Sequence, residues 1–373
     1  MDLKGKTVVL GMSGGVDSSV CAVLLKKQGA NVIGLFMKNW EELDEAGNCQ
    51  ASKEYEDVKA VCDKIDIPYY SVNFVKEYKE RVFDDFLKDF GKGLTPNPDI
   101  LCNREIKFDV FFKKALTLGA DFVATGHYCQ NNNSKLVKGE DSNKDQTYFL
   151  HAIKSDVLEK VLFPIGDLPK TQVRELAEKY NLKTKHKKDS TGICFIGERN
   201  FKPFLQQYLK TRPGNFVNLQ GEVQGTHSGA VFYTLGQRRG LGLGGPGERW
   251  YVVAKNIDQN TVTVERGADH PALYADSLKA LEITWISPDQ EIELPFTCQA
   301  KIRYRQKDQL CTIEKIENGE MLVTFDTPQR AITPGQSIVF YKGNICLGGA
   351  KITTIGASYF QMNKELMILQ DSI

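Results

Sequence analysis

Short apolar runs alternate with amphipathic stretches through the first third of the chain. "TVVLGM" (7–12), "NVIGLFMKNW" (31–40), "PYYSVNF" (68–74) and "DFVATGHY" (121–128) read as strands. The first is apolar throughout, as a strand covered on both faces must be. Between them, "SSVCAVLLKKQG" (18–29), stopped by Gly29, "ASKEYEDVKAVCDKI" (51–65) and "REIKFDVFFKKALTLGA" (104–120) repeat at helical spacing. Repeated strand–helix units predict an α/β fold, a doubly wound parallel sheet with helices on both faces. Ligands in such sheets sit at the carboxyl ends of the strands. The loop 10–20, Met37 and Gly126–His127 fall at such ends.

The pattern changes after about Tyr208. Residues 221–247 contain nine glycines, which predicts short strands, turns or a bent loop. From Ser277, "LKALEITWI", "FTCQAKIRYRQ", "QLCTIEKIE", "EMLVTFDTP" and "GQSIVFYKG" read as strands at regular spacing, a small barrel or sandwich. Arg303 and Arg305 alternate with Tyr304, so on a strand both arginines share one face. The polar insert 131–143 reads as a variable loop.

Charge and cysteines narrow the possibilities. A net charge of +1 predicts no polyanion partner from overall charge, so any nucleic-acid surface is local. Residues 170–212 hold eleven Lys/Arg against four Asp/Glu, 11 − 4 = +7, whereas 41–57 holds seven acids and one base. The first block suits a phosphate-facing surface, the second a solvated helix face. Nine cysteines, an odd number with no C-x-x-C pair, argue against a disulfide scaffold, a structural zinc site or a cysteine-ligated cluster. Cys21, Cys62, Cys298 and Cys311 lie on regular apolar elements and read as small buried hydrophobes, while Cys49, Cys129 and Cys346 suggest no role. The N-terminus resembles neither a signal nor a transit peptide, and no apolar run approaches the roughly 20 residues of a membrane span, so a cytoplasmic protein is expected.

The loop "LGMSGGVDSSV" (10–20) carries the chemistry. A strand, a glycine loop and a helix start make an anion site, because free amides and the helix dipole both favour negative charge there. Ser13, Gly14, Gly15, Asp17, Ser18 and Ser19 fit that description, although a glycine turn into a serine-capped helix has the same spacing. The Walker lysine is missing, with Val16-Asp17-Ser18 in its place, so the loop is not built to cut a terminal phosphate.

"SGGVDSS" after an apolar strand resembles the signature of the PP-loop ATP pyrophosphatases (adenine nucleotide alpha hydrolase-like), which transfer AMP to a substrate oxygen. "GLTPNPDILCNREIKF" (93–108), "ATGHY" (124–128), "KDQTYFL" (144–150), "DSTGICFIGERNF" (189–201), "GQRRGLG" (236–242) and "PGQSIVFY" (334–341) together resemble, in order, the bacterial tRNA-specific 2-thiouridylase family. That resemblance implies ATP-dependent 2-thiolation of the wobble uridine in tRNAs for Lys, Glu and Gln. ATP and Mg²⁺ are then needed, as is a cysteine desulfurase or sulfur-relay protein, and the enzyme is expected to be monomeric. The expected division is a nucleotide-binding catalytic domain over 1–205, a small central domain over 206–276, expected on this resemblance to contact tRNA, and a C-terminal β-barrel over 277–373, expected on the same ground to bind tRNA.

The family's site residues carry over by match. The ATP site comprises Gly11, Met12, Ser13, Gly14, Gly15, Val16, Asp17, Ser18, Met37 (against adenine) and Gly126, with Asp17 a candidate Mg²⁺ ligand. Cys194 matches the persulfide-bearing cysteine and Cys102 the other catalytic one, the two closing a transient disulfide; the roles could also be reversed, with hydrogen sulfide freed in the pocket. Asp99 matches the acid/base residue. Asn97, Pro98, Asp99, His127, Lys144, Asp145, Gln146, Arg303, Tyr304 and Gln336 match tRNA-contacting positions. Competing readings are an amide- or ester-forming ligase, for which no amino-acid pocket is visible, and an RNA-binding module, against which the intact loop argues.

Overall fold

The computed structural model describes residues 2–41, 50–189, 201–287 and 292–366. The N-terminal part holds β1 (Thr7–Met12), β2 (Asn31–Lys38), β3 (Tyr69–Asn73), β4 (Phe122–Ala124), a hairpin of β5 (Cys129–Asn132) and β6 (Lys135–Lys138), and β7 (Val161–Leu162). Five of these strands form one parallel sheet in the order β3-β2-β1-β4-β7. Strand order reverses at β1, so the crevice between the ends of β1 and β4 is the expected ligand site. Side chains of β1 alternate between two cores. Val8, Leu10 and Met12 face α1 (Val16–Lys27), α2 (Gln50–Ile65) and the helix Lys170–Lys179. Val9 faces the other core, built on the helical stretches 75–91 and 98–117. Helices therefore cover both faces, as the continuous apolar strand requires.

The central unit is a four-stranded sheet of β8 (Gly214–Val217), β9 (Val223–His227), β10 (Trp250–Asn256) and β11 (Thr261–Arg266). The C-terminal strands are β12 (Tyr274–Trp285), β13 (Phe296–Lys301), β14 (Gln309–Glu317), β15 (Glu320–Arg330), β16 (Ser337–Lys342) and β17 (Ile345–Ile355). β12 pairs with both β15 and β17, which closes the barrel and removes its edges. Cys21, Cys62, Cys298 and Cys311 are buried, as expected of small hydrophobes. Among the described residues no helix is long and apolar enough to cross a membrane.

Two expectations change. The insert 131–143 is not simply a loop: it contributes to the β5–β6 hairpin, which pairs with barrel strand β17 through Val137 and Ile345, so the N-terminal part and the barrel share a sheet. Arg303, Tyr304 and Arg305 do not alternate on a strand. β13 ends at Lys301, because the Gln306 side chain accepts the Ile302 amide at 2.8 Å and the chain turns through 303–306.

Candidate active site

The loop after β1 is shaped by one steric demand. Gly14 has φ +70°, and a Cβ there would stand 2.5 Å from the Glu54 carbonyl oxygen of α2. Only glycine suits both the conformation and the contact. Gly15 caps α1 in extended backbone and brings no side-chain acceptor. The first-turn amides are thus left for an external anion. Ser13 and Ser18 stand 3.3 Å apart at their hydroxyls, and the Ser19 hydroxyl donates to the Gly15 carbonyl at 2.7 Å. Gly126, beyond β4, closes the far side: a Cβ there would lie 3.1 Å from the Ser18 nitrogen. Half-buried Met37 lies near the end of neighbouring β2.

Charge around this loop is locked from within. Lys170 donates to both carboxylate oxygens of Asp17, at 2.7 and 2.9 Å, and the Tyr128 hydroxyl donates to the same group at 2.7 Å. Lys170 also pairs with Asp189 at 2.8 Å, which Lys144 and Arg174 reach at 2.6 and 2.8 Å. Burial pushes the Asp189 carboxyl up, but the bonds from Lys144 and Lys170 outweigh it and hold it at about 2. Lys187 donates to the Gly14 carbonyl at 3.0 Å and to Asp57 at 2.8 Å, and Lys183 pairs with Asp57. Much of the basic block's described part therefore neutralises this domain's own acids instead of facing outward. A divalent cation at Asp17 would meet the Lys170 ammonium. Among the described residues no group of three His, Cys, Asp or Glu side chains is gathered for a metal. As placed, the Asp17 carboxylate is already neutralised by a cation of this chain.

A second cluster adjoins the first through "ATGHY". Asn97 caps the helical stretch 98–117, its side chain accepting the Asp99 amide at 3.1 Å, with Pro98 at the first helical position. Burial raises the Asp99 carboxyl pKa and the Lys107 ammonium pulls it partly back. The Lys107 ammonium lies 3.4 Å from Nε2 of His127, and Nδ1 of His127 lies 2.8 Å from the Thr125 hydroxyl. Burial first, then Lys107, drive the buried His127 well below its ordinary pKa. The ring is neutral near pH 7: Nε2 accepts from Lys107 and Nδ1–H donates to Thr125. Cys102 follows Asp99 by three positions, on the same helix face, at the start of a π-helical stretch (Cys102–Phe111) and buried at 3% exposure. Phe111 of that stretch would lie 3.5 Å from a Cβ on Gly11, so the cysteine's helix rests on the strand that leads into the glycine loop.

Family models for a "tRNA methyl transferase HUP domain", a "tRNA methyl transferase PRC-barrel domain" and an "Aminomethyltransferase beta-barrel domain" match residues 6–198, 202–266 and 275–352. The chain is 61% identical over 366 residues to the tRNA-specific 2-thiouridylase MnmA of Protochlamydia amoebophila, covering 97% of each. It belongs to the tRNA-specific 2-thiouridylase family. The thiouridylase of Halalkalibacterium halodurans is 55% identical, over 92% of this chain and 94% of its own. Among solved structures, the U34-tRNA thiolase NcsA of Methanococcus maripaludis is 21% identical over 55% of this chain and 65% of its own, with a TM-score of 0.36. The model descriptions name methyl transfer and the relatives sulfur transfer; near-full-length identity decides for the latter.

Several positions expected to contact tRNA have partners within the chain. Asp145 is buried and accepts from the Thr147 hydroxyl and the Gly139 amide, with Lys301 at 3.6 Å. The Gln146 side chain accepts the Tyr128 amide at 2.9 Å. Arg303 donates to the carbonyls of Leu235 and Ala331 at 3.2 and 2.8 Å, Tyr304 stands 3.4 Å from the Lys144 carbonyl, and Gln336 donates to the Thr95 carbonyl at 2.6 Å. Apart from Gln146, whose bond stays within the N-terminal part, these side chains brace the three parts of the thiouridylase against one another. Asp145 in particular is buried, with its carboxylate taken up by neighbours in this chain. Cys194 and Cys49 lie outside the described residues. Sequence reading missed Lys107, Lys170, Asp189 and Thr95, whose partners lie far along the chain or in another domain.

Proposed function

We propose that this thiouridylase activates the C2 oxygen of a tRNA uridine with ATP and replaces it by sulfur carried on cysteine. The uracil oxygen leaves badly; joined to AMP, with pyrophosphate released, it leaves as AMP. The uncapped first-turn amides of α1, at the end of the 13–18 loop, bind and orient the triphosphate, and with no Walker lysine the loop favours cleavage next to AMP. A persulfide on Cys194, loaded by a cysteine desulfurase directly or through a relay protein, attacks C2 with its terminal sulfur and expels AMP. The Cys102 thiolate then attacks Sγ of Cys194. The S–S bond to the base breaks, its electrons stay on the thiocarbonyl sulfur, and a Cys102–Cys194 disulfide remains for a dithiol to reduce. Asp99, its pKa raised by burial, is suited to hold or pass a proton at the base. A base within an anticodon loop must be splayed out to be reached, and the wobble uridine of tRNAs for Lys, Glu and Gln is the target that the resemblance implies.

One observation carries this reading. Gly126 abuts the nucleotide loop while His127, the next residue, contacts the Lys107 that acts on Asp99, three residues before Cys102. Cys102→Ala and Cys194→Ala should each abolish 2-thiouridine formation while ATP still binds. Normal 2-thiouridine in tRNA from cells carrying only Cys194→Ser would overturn the proposal.

A further inference from the structure

We infer that a basic cavity in the central domain binds backbone phosphates of the tRNA and holds a stem beside the loop that carries Asn97 and Asp99. This rests on the tRNA reading above and adds the surface that grips the RNA. The cavity, about 370 Å³, opens in the glycine-rich turn between β9 and β10 and is lined by Arg238, Arg239, Arg249, Arg266, Glu248 and Trp250, among others. Four arginines against one glutamate give 4 − 1 = +3, on a chain whose net charge is +1. The requirement that any nucleic-acid surface be local is met here.

The arginines divide into a built wall and free hands. Arg266 is fixed: it donates to the carbonyls of Glu248 and Gly244 at 2.7 and 3.2 Å and lies 4.2 Å over the Trp250 ring. Trp250 is held in turn by its indole N–H on the Gly244 carbonyl at 3.1 Å. Arg238, Arg239 and Arg249 are exposed, and among the described residues none has an ion-pair partner. Gly244 has neither a positive φ nor any atom within 4 Å of where its Cβ would be, so neither backbone nor packing requires a glycine there. The missing side chain leaves the rim open to close approach. With Arg266 over the Trp250 ring, the cavity suits phosphate better than a stacked base.

Position ties the cavity to the reaction. Thr234 stands 3.4 Å from Thr95, hydroxyl to hydroxyl, two residues before Asn97. Gln237 accepts the Thr234 amide at 3.0 Å and donates to the Arg239 carbonyl at 3.0 Å. One short, bonded turn thus joins the active-site loop to the arginine pair.

The test uses the full-length enzyme and a tRNA substrate, with Arg238→Gln/Arg239→Gln and Arg238→Lys/Arg239→Lys compared with wild type. All three are checked for equal thermal melting, and tRNA Kd is measured from low to physiological salt. The glutamine variant should bind tRNA about tenfold more weakly, with a log Kd against log salt slope smaller by about two. The lysine variant should keep the wild-type salt slope, and ATP affinity and kcat at saturating tRNA should hold in both. A folded glutamine variant with wild-type tRNA affinity and slope overturns the inference, as does weakened ATP binding with RNA binding intact, which would make the cavity a free-nucleotide site. Wild type thiolates tRNA in the same assays if the proposed function holds, so failure of that reading is seen separately.

Discussion

Lys170 grips Asp17 across 153 positions of sequence, its ammonium at 2.7 Å from one carboxylate oxygen and 2.9 Å from the other. The same ammonium reaches Asp189 at 2.8 Å. Lys170→Met would leave the Asp17 carboxylate with the Tyr128 hydroxyl but no cation beside an anion site, while Asp189 keeps Lys144 and Arg174. Both acids are partly exposed, so the stability loss should be moderate, about 1–3 kcal/mol. ATP affinity should fall about tenfold, since the uncompensated Asp17 charge opposes the triphosphate. Calorimetric titration with ATP checks this; an unchanged Kd would show that Lys170 serves the fold alone.

Gly14→Ala addresses the loop itself. It puts an alanine at φ +70° and a Cβ 2.5 Å from the Glu54 carbonyl oxygen of α2. The strain alone is of order 1–3 kcal/mol, and relief requires the loop to move off α2. Loss of ATP binding in a protein that still melts cooperatively is the expected outcome. Gly244→Ala, where nothing crowds the Cβ, should leave stability within about 0.5 kcal/mol of wild type.

Acid should weaken the joint between the N-terminal part and the barrel. His151 is buried, its ring nitrogens 3.2 Å from the Ser337 hydroxyl and 3.4 Å from that of Thr284. Burial, with Arg104 adding to it, drives its pKa from 6.5 down to about 4. The native state therefore favours the neutral ring. Its contribution is fully present above pH 6.5 and is lost as the pH falls towards about 4, up to about 3 kcal/mol in all. His127 acts with the same sign, and Asp99, raised by burial, with the opposite one. Urea midpoints at pH 7.5 and 5 should differ in wild type and differ less in His151→Gln.

Gln336 offers a separate handle on geometry. Its side chain donates to the Thr95 carbonyl at 2.6 Å, holding the loop that leads to Asn97 and Asp99. Gln336→Leu should lower the thiolation rate while ATP affinity stays put. Equal losses in both would point to general misfolding.

The legible parts of this molecule are those whose signals are local. The apolar run 7–12, the amphipathic helix 50–65 and the glycine loop between β1 and α1 all follow from neighbouring residues, and each lies within a few residues of its expected place. The β5–β6 hairpin was hidden because its strands are short and largely polar and are held by partners distant in sequence, among them β17, 208 positions away through Val137 and Ile345. β17 itself escaped because Gly348 and Gly349 interrupt its pattern. The roles of Arg303, Tyr304 and Gln336 as braces depend on which domains meet, and no spacing rule encodes that. The same holds for Lys170: a lone lysine at the first position of a helix carries no sign of the carboxylate it will neutralise.

ATP activation at the 13–18 loop can be tested most directly with two nucleotide analogues. tRNA, a persulfide donor and the enzyme are supplied with either β,γ-methylene ATP or α,β-methylene ATP, and 2-thiouridine is quantified by mass spectrometry of digested nucleosides. Transfer of AMP to the uridine oxygen predicts thiolation with the first analogue and none with the second, whose α–β bridge cannot be cleaved. Thiolation with α,β-methylene ATP, or with no nucleotide, would contradict adenylation as the step that makes the oxygen a leaving group.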